Sequence, residues 1–447
     1  MSEISAKHIS DVIGLLNDNA DYAVLRNFEG LPDNNKSRDI DIIITRKSYV
    51  ALKSELLKLI DSSGWRIITY LHSDRLITYV CGFSCGEHIE LVQWDFFFNT
   101  SVWGILLMDA SEFVQHRQFN GFLYYMEVEY QFLDKYLYNR AVGSQFPDKY
   151  AWMREKASQS LVVKEKIKAV FRVTSIEECD NIDSHILVMR AVAANYLQRP
   201  LDSIGNVLLF LWTFIRNYIC SNTGFSIGFT GPDGSGKTTV IDLLIENFGE
   251  VFRKAHVYFH FRPMLFGNLG EVAHSAGIKK EVDRSYEKPH RGAKTGMLSS
   301  LLRLAYYSVD YFLGYFLRVK PVTRITQLAI FDRYYTDIIC DSRRSRIYLP
   351  VKFLYGWGKC FIPSLDYNIL LTARTETILG RKNELNREGI EAINARIDYL
   401  ASKPSFYKVL NEGTPQEAVA EILRIVFEKQ HKKNMERLSL KNINIWL

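Results

Sequence analysis

One eight-residue segment constrains the fold of this chain more than any other feature. Residues 231–238 read GPDGSGKT and match the pattern G-x-x-x-x-G-K-S/T at every position. An apolar run at 224–230 (GFSIGFT) precedes the segment and predicts a strand, while the residues that follow, up to 247, predict a helix. Glycines let the backbone curl so that successive N–H groups and the helix N-terminus point at one anion. The sequence therefore predicts a strand, a phosphate-binding loop and a helix in succession.

The polar residues of this loop indicate how it would hold a nucleotide. Lys237 would reach the β- and γ-phosphates, and the hydroxyl of Thr238 would ligate Mg²⁺, which neutralises charge on the transferred group. The predicted nucleotide-binding residues are Gly231, Pro232, Asp233, Gly234, Ser235, Gly236, Lys237, Thr238 and Thr239. Loops of this kind occur in several classes of NTPase, so the reaction depends on residues elsewhere.

The pattern around the loop predicts an α/β fold. Short apolar runs at 256–260, 328–331 and 367–372 predict strands, and helical patterns separate them. Because strands and helices alternate, we expect the parallel sheet wrapped by helices that is typical of P-loop NTPases. We assign this domain to residues 223–430.

The rest of the chain predicts a second, smaller α/β domain and a mainly helical stretch. Residues 1–125 alternate between short helical and strand patterns, 126–222 predict a helical connector, and 431–447 predict a basic tail. Residues 1–200 carry a net charge of −4, and residues 201–447 carry +10. This asymmetry indicates that the second half handles an anion.

Four segments resemble thymidylate kinases and follow the same order along the chain. They are FTGPDGSGKTT in the loop, HFRP at 260–263, FDRYYTD at 331–337, and a run from 374 to 388 followed by GTPQEAVAEIL. The resemblance covers residues 224–427. It implies an enzyme, a phosphotransferase that depends on ATP and Mg²⁺.

The same resemblance implies roles for residues outside the loop. Arg262 and Arg333 would hold the phosphate of the acceptor, and two guanidinium groups suit such bidentate contacts. Asp332 would complete the shell of the metal, and Asp233 would orient an acceptor hydroxyl. In the family a mobile lid supplies further cations, and the matching stretch here contains Arg381, Lys382 and Arg387.

Two segments depart from thymidylate kinases and leave the acceptor open. Residues 306–311 read YYSVDY, and residues 336–346 read TDIICDSRRSR. An insertion-like basic stretch at 264–300, together with Arg343, Arg344 and Arg346, would enlarge an anionic acceptor site. This extended pattern resembles proteins of bacterial surface-polysaccharide synthesis. We therefore expect a small-molecule acceptor, either a nucleoside monophosphate, with dTMP as the default, or a sugar or phosphorylated glycan precursor.

The first domain carries a pair of carboxylates on one predicted strand. Asp39 and Asp41 are two residues apart, so both lie on the same face of the strand, where a cation such as Mg²⁺ would relieve their repulsion. The segment YAVLRNFEGLPDNNKSRDIDIII resembles the core of nucleotidyltransferases, which implies a third carboxylate. Asp95 is our choice and Glu90 is the alternative. The Gly-Ser pair of that family is missing, so nucleotidyl transfer, a degenerate ligand-binding or scaffold domain, and a merely structural pair stay open.

The sequence also allows functions other than that of a kinase. A regulatory switch or ATPase module that acts on a partner protein is the alternative, and hydrolysis without an acceptor would favour it. We expect no nucleic-acid partner, because the basic half lacks interleaved aromatic and basic residues. The six cysteines are scattered and predict no zinc site. The first residues show no secretory signal, which predicts a cytoplasmic protein, and a homodimer stays open.

An uncharged apolar run at 203–215 (SIGNVLLFLWTFI) needs a separate interpretation. It is shorter than the roughly 20 residues of a membrane-spanning helix. We therefore expect no transmembrane span here. The run predicts a buried or domain-packing helix, with peripheral contact to a membrane as the alternative.

Overall fold

The computed structural model describes residues 2–35, 39–219, 223–248, 256–266, 296–324, 327–382 and 385–439. The chain divides into two compact units. Unit 1 comprises residues 1–83, 90–221 and 427–447, and unit 2 comprises residues 84–89 and 222–426.

Unit 1 is built on a mixed sheet. Its strands are β1 (Tyr22–Val24), β2 (Asp39–Ile44), β3 (Arg66–His72), β4 (Leu76–Cys85), β5 (His88–Phe97), β8 (Arg117–Phe119) and β9 (Tyr124–Met126), and a separate hairpin is formed by β6 (Asn99–Val102) and β7 (Ile105–Asp109). The strand order is β3-β4-β5-β2-β1-β9-β8, with β2 parallel to β5 and antiparallel to β1. The two central strands β2 and β5 therefore end at the same edge of the sheet.

The helices that we expected as a connector pack into unit 1. The unit contains α1 (Glu3–Asn19), α2 (Arg46–Ser62), α3 (Ala110–Val114), α4 (Val128–Val142), α5 (Ala151–Ala157), α6 (Leu161–Phe171), α7 (Ile176–Asn181), α8 (Ser184–Gln198) and α9 (Pro200–Ile219). Phe132, Ile167 and Leu187 of these helices share one buried apolar cluster with Ala23 and Ile43 of the sheet. Helices α4 to α8 thus complete the core of this unit, because burial of their apolar faces stabilises both layers.

Helix α9 does not bury the apolar run at 203–215. Its buried side chains are Ser203 and Thr213, whereas Leu208 and Trp212 are 60% and 48% exposed. The expectation that this run is buried is therefore wrong, because α9 packs against unit 1 through its polar side chains and leaves the apolar ones exposed. Among the helices of the described ranges, we find none that is long and apolar enough to cross a membrane.

Unit 2 is built on a five-stranded parallel sheet. Its elements are β10 (Phe225–Thr230), α10 (Lys237–Phe248), β11 (Val257–His260), α11 (Met297–Gly314), a π-helical turn (Tyr315–Val319), α12 (Lys320–Arg324), β12 (Leu328–Asp332), α13 (Tyr335–Cys340), α14 (Ser342–Ser345), α15 (Val351–Phe361), β13 (Tyr367–Thr372), α16 (Thr375–Arg381), α17 (Arg387–Ala401) and β14 (Phe406–Leu410). The order is β11-β12-β10-β13-β14, and every pair is parallel. Every residue of β10, β12 and β13 is buried, as expected for central strands with helices on both faces. The predicted α/β fold with a parallel sheet is confirmed.

The last helix extends into the predicted basic tail of 431–447. Helix α18 spans Pro415–Ser439, and residues 440–447 lie outside the described residues. Asn434 is fully buried and donates hydrogen bonds to the carbonyls of Ile67 and Ile68, at 3.0 and 2.9 Å. The charged residues of this segment therefore belong to a packed helix as far as Ser439.

Candidate active site

The predicted phosphate-binding loop lies where the central strand of unit 2 ends. Strand β10 ends at Thr230, and α10 begins at Lys237. Gly234 and Gly236 adopt left-handed backbone conformations, with φ of 89° and 86°, which glycine adopts without a steric penalty. A Cβ at Gly231 would lie 1.9 Å from the carbonyl oxygen of Leu371 on the next strand. The loop geometry therefore depends on these glycines.

Lys237 is buried against its own loop. Its Nζ donates hydrogen bonds to the carbonyl oxygens of Gly231 and Pro232, both at 2.9 Å, and lies 3.9 Å from Oδ1 of Asp233. Burial, helped by the nearby charge of Arg333, lowers the pKa of Lys237 to about 8. The lysine is thus held at the start of α10, where the helix dipole also favours an anion.

Asp332, predicted as a metal ligand, ends strand β12 beside β10. Its Oδ2 accepts a hydrogen bond from the Tyr258 hydroxyl at 3.1 Å and lies 3.4 Å from Nδ1 of His260. Burial pushes the pKa of Asp332 up, but the hydrogen bond from His260 and the charges of Arg333 and Lys237 outweigh it and hold the pKa below its usual value. The carboxylate therefore stays ionised at neutral pH.

The chemistry around Asp332 fits a hard divalent cation. Its Oδ1 is buried and has no hydrogen-bond partner among the described residues. Thr238, the other predicted ligand, lies exposed in the first turn of α10. A carboxylate and a hydroxyl oxygen are ligands that Mg²⁺ prefers. Asp332 and Thr238 would therefore hold Mg²⁺. The neighbouring Thr239, a predicted nucleotide-binding residue, is also exposed.

Arg333 connects the end of β12 to the loop. Its backbone has a φ of 74°, which is uncommon for a residue other than glycine, and its N–H donates to the carbonyl of Phe229 at 2.9 Å. Its Nη2 donates to Oδ1 of Asp233 at 2.8 Å, and its Nη1 donates to Asp337 at 3.3 Å. A strained backbone conformation of this kind persists only where surrounding contacts fix it. Here the contacts with Phe229, Asp233 and Asp337 do so.

A second arginine holds the other oxygen of the same carboxylate. Nη2 of Arg344, on α14, donates to Oδ2 of Asp233, and its Nε lies 3.5 Å from Asp341. Each oxygen of Asp233 thus faces a different guanidinium group. The sequence indicated Arg344 only as one member of a basic run. The structure brings it to the loop together with Arg333.

Two further residues of the site were not predicted. The carboxyl of Asp337 is buried, and burial raises its pKa although Arg333 and Arg344 oppose the shift. Nδ2 of Asn411, at the end of β14, donates to the carbonyl of Ser235 in the loop at 2.9 Å. Arg333 and Asp337 are only four residues apart in the sequence, so a local ion pair between them could have been predicted, although Arg333 precedes helix α13. Asn411 offers no such local signal.

Arg262, predicted to hold the acceptor phosphate, is turned into the protein. Its Nη1 forms an ion pair with Oδ2 of Asp310 at 2.8 Å, and both side chains are almost fully buried. The other oxygen of Asp310 accepts a hydrogen bond from the N–H of Phe266 at 2.8 Å. The guanidinium group also lies over the ring of Tyr307, 4.7 Å from its centroid. In this structure Arg262 joins the end of β11 to α11 through its ion pair with Asp310.

The predicted lid residues separate into two groups. The end of α16 lies over the loop, because a Cβ at Gly234 would lie 3.2 Å from both the Ile378 carbonyl oxygen and the Lys382 Cβ. Arg381, in the same turn, donates to the carbonyl of Asn411 at 3.0 Å. Arg387 is exposed at the start of α17 and pairs with Glu376 at 2.6 Å. The structure thus brings Arg381 and Lys382 to the loop region, whereas Arg387 forms a surface ion pair.

Unit 1 brings the three predicted carboxylates together. Asp41 on β2 is the register partner of Asp95 on β5, and one oxygen from each of Asp39, Asp41 and Asp95 lies within 4.8 Å of the others. The alternative, Glu90, instead accepts a hydrogen bond from the Ser5 hydroxyl. Asp95 is thus the third member of the cluster. It lies where the adjacent strands β2 and β5 pair.

Part of this cluster already has a protein cation. Arg26 forms buried ion pairs with Asp41 at 2.7 Å and with Asp134 at 2.9 Å. Burial opposes the charge of Arg26, but Asp41 and Asp134 outweigh it and raise its pKa. Asp95 accepts hydrogen bonds from Thr78 and Gln93. A carboxylate cluster with these partners suits either a metal or a permanent internal ion pair.

Comparison with known proteins returned solved structures of thymidylate kinases. The enzyme from Ehrlichia chaffeensis is 17% identical and matches 45% of this chain and 98% of its own, with a TM-score of 0.30. The enzyme from Candida albicans is 16% identical and matches 46% of this chain and 93% of its own, with a TM-score of 0.33. No protein-family model matches the chain, and no curated protein matches it.

Proposed function

We propose that unit 2 is a kinase that transfers the terminal phosphoryl group of ATP to a small acceptor that already carries a phosphate. One observation carries this proposal. Lys237, Arg333 and Arg344 converge on the carboxylate of Asp233 at the carboxyl edge of the parallel sheet. The loop and Lys237 suffice for the phosphates of a nucleotide, so the two arginines supply charge for a second anion.

The described residues support a division of roles. Lys237 and the N–H groups of the loop would bind the β- and γ-phosphates. Bound ATP would supply the phosphoryl group, and Mg²⁺ held by Thr238 and Asp332 would neutralise its charge. Arg333 and Arg344 would then turn from the protein carboxylate to the acceptor phosphate. This arrangement provides positioning and electrostatic stabilisation, which phosphoryl transfer requires more than covalent chemistry.

The site also favours an acceptor with a hydroxyl group near its phosphate. Once both arginines bind the acceptor phosphate, Asp233 is released and can accept a hydrogen bond from that hydroxyl. Nucleoside monophosphates, with dTMP as the first candidate, and phosphorylated sugars or glycan precursors have this combination. A sugar without a phosphate would leave Arg333 and Arg344 paired with protein carboxylates alone.

The test is turnover of the full chain with γ-³²P-labelled ATP and Mg²⁺ against dTMP, other nucleoside monophosphates, sugars and sugar phosphates. We expect ADP and a labelled product with one phosphorylated acceptor, identified by its mass. Lys237→Ala should abolish this product, while Lys359→Ala, at an exposed lysine of α15, should leave it unchanged. ATP hydrolysis at the same rate with every acceptor and with none would reject the kinase and support the ATPase or switch.

A second candidate function is nucleotidyl transfer by unit 1, which the juxtaposition of Asp39, Asp41 and Asp95 favours. The same assay with α-³²P-labelled ATP tests it, because only nucleotidyl transfer moves the α-phosphate onto an acceptor. Asp41→Asn should then abolish transfer, and Asp21→Asn, at an exposed surface pair with Arg117, should not. Absence of α-label transfer with every acceptor tested would leave the Arg26–Asp41 pair as a structural ion pair.

A further inference from the structure

Helix α9 of unit 1 is amphipathic in the opposite sense to an ordinary surface helix. Its inner face is polar: Ser203 and Thr213 are buried, and Asn217 donates from Nδ2 to the carbonyl of His72 at 2.7 Å. A surface helix of a soluble protein normally packs its apolar side inward and leaves the polar side to water. The polar contacts thus fix the helix on unit 1 and direct its apolar side outward.

The outer face of α9 is a continuous apolar stripe. Its members recur every three or four residues, and each is at least 45% exposed: Leu201, Ile204, Leu208, Leu211, Ile215 and Ile219. At 1.5 Å per residue, the stripe extends along about 30 Å. Large contiguous apolar patches on protein surfaces mark contact sites. Exposure of this apolar stripe to water is unfavourable, so its burial against an apolar partner would lower the free energy.

An exposed tryptophan stands next to this helix. The turn between β6 and β7 rests on α9, since a Cβ at Gly104 would lie 2.7 Å from the Cα of Val207. In the same turn Trp103 has a φ of 53° and is 53% exposed. A left-handed backbone at a bulky residue costs energy, yet here it leaves an indole ring in solvent. Trp212 on α9 is 48% exposed, and tryptophan is enriched at membrane–water interfaces.

The charges around the stripe distinguish between two apolar partners. Residues 184–219, which contain α8 and α9, carry three arginines but only one carboxylate, Asp202. Arg199, immediately before α9, is exposed, whereas Arg190 and Arg216 are half-buried and donate to the carbonyls of Arg172 and His72. In a two-fold dimer this surface would meet its own copy, so cations would face cations with a single carboxylate available on each side. Anionic lipid headgroups would complement the arginines instead.

We propose that the outer face of α9 together with Trp103, here termed the α9 surface, binds the surface of an anionic phospholipid bilayer. The helix would lie in the plane of the interface, with its stripe among the acyl chains and Arg199 at the headgroups. The polar contacts to unit 1 would remain intact on binding. This surface is separate in its residues from the proposed kinase site, so either proposal can fail while the other holds.

The test is co-sedimentation of the full chain with vesicles of phosphatidylcholine alone and of phosphatidylcholine with 30% phosphatidylglycerol. We expect binding to the mixed vesicles that weakens with salt, and at least about tenfold weaker partitioning for Leu208→Glu, because burial of an exposed leucine is lost and a like charge is added. Leu161→Glu, at an exposed leucine on α6 (73% against 60% for Leu208), serves as the matched control and should bind like wild type. Arg199→Gln should reduce binding to the anionic vesicles while the melting temperature stays unchanged.

Several outcomes would overturn the proposal. Wild-type protein that stays in the supernatant with both vesicle types would reject it, as would equal binding by Leu208→Glu and wild type. A wild-type dimer that Leu208→Glu converts to a monomer, without vesicle binding by either, would assign the surface to a second copy of the chain. Circular dichroism of each variant shows that it is folded, so lost binding cannot reflect unfolding.

Discussion

Nη2 of Arg333 lies 2.8 Å from Oδ1 of Asp233, which links the end of strand β12 to the phosphate-binding loop across 100 residues of sequence. Arg344 binds the other oxygen of the same carboxylate. In this structure the two arginines are therefore paired with protein carboxylates, namely Asp233 of the loop together with Asp337 and Asp341. If unit 2 is the proposed kinase, an acceptor phosphate would have to compete with Asp233 for both guanidinium groups, which would favour doubly charged acceptors over neutral ones.

The first prediction concerns Arg344. We expect Arg344→Ala to raise the KM for the phosphorylated acceptor by about 10- to 100-fold, because a charge-assisted hydrogen bond contributes about 1.5–3 kcal/mol. The KM for ATP should change far less. Arg343→Ala, at the exposed neighbouring residue, is the matched control and should leave both constants near wild type. Equal increases in both KM values would show that Arg344 supports the loop instead of binding the acceptor.

The second prediction is a pH dependence of nucleotide binding. Because the pKa of Lys237 is lowered to about 8, the lysine is cationic below that pH and loses its proton above it. Bound phosphates raise this pKa, so the Kd for ATP should be flat below pH 8 and should rise above it by up to about tenfold per pH unit. Calorimetry in buffers of different ionisation enthalpy should show proton uptake on binding at pH 8.5.

The control for this pH titration is the variant Lys237→Ala. In Lys237→Ala the rise in Kd above pH 8 and the proton uptake should both disappear. If the pH dependence persisted unchanged in this variant, another group would be responsible for it, and the role of Lys237 in binding the phosphates would be contradicted.

How far the sequence could predict this site depended on how local each feature is. Eight consecutive residues encode the loop, and the apolar run before Asp332 places that carboxylate at a strand end, so both predictions needed only short-range patterns. The contact of Asn411 with Ser235 joins residues 176 apart in sequence, and it exists only because β14 and β10 end at the same edge of the sheet. No local pattern encodes that distance.

The sequence also gives no local indication of which side chain an arginine such as Arg262 will contact. The resemblance of HFRP to a family motif supplied the residue type of Arg262 but not its partner. Asp310 lies on α11, 48 residues further along the chain, and captures the guanidinium group in the interior. The parallel sheet itself was predictable, since buried apolar runs alternating with helical patterns have few other solutions.

The third prediction tests the contact of Asn411 with the loop. Gly236 and Asn411 are so close that a Cβ at Gly236 would lie 2.4 Å from Nδ2 of the asparagine. We expect Asn411→Ala to weaken ATP binding several-fold while the protein stays folded, because the carbonyl of Ser235 loses its hydrogen bond. Calorimetric Kd values would measure this effect.

A double-mutant cycle with Gly236→Ala provides the control. The glycine variant combines left-handed backbone strain with a clash, and only the clash depends on the asparagine. Gly236→Ala should therefore cost less affinity in the Asn411→Ala background, with a coupling energy of about 0.5–3 kcal/mol. Strictly additive losses would contradict a direct contact between the two residues.

The last prediction distinguishes the two roles considered for Arg262. Because its ion pair with Asp310 is almost fully buried, Arg262→Ala should lower the free energy of unfolding by about 3–5 kcal/mol, leaving a buried carboxylate without its cation. Arg387→Ala, which breaks an exposed ion pair with Glu376, should cost less than about 1 kcal/mol. Replacement of both partners, Arg262→Met with Asp310→Leu, should recover much of the loss, since no unpaired charge remains.

Urea denaturation measures the free energy of unfolding of the wild type, the two single variants and the double variant. If the double variant is folded and phosphorylates the acceptor with a normal KM, Arg262 is a structural residue; a KM raised at least about tenfold in that stable variant would restore it to the acceptor site.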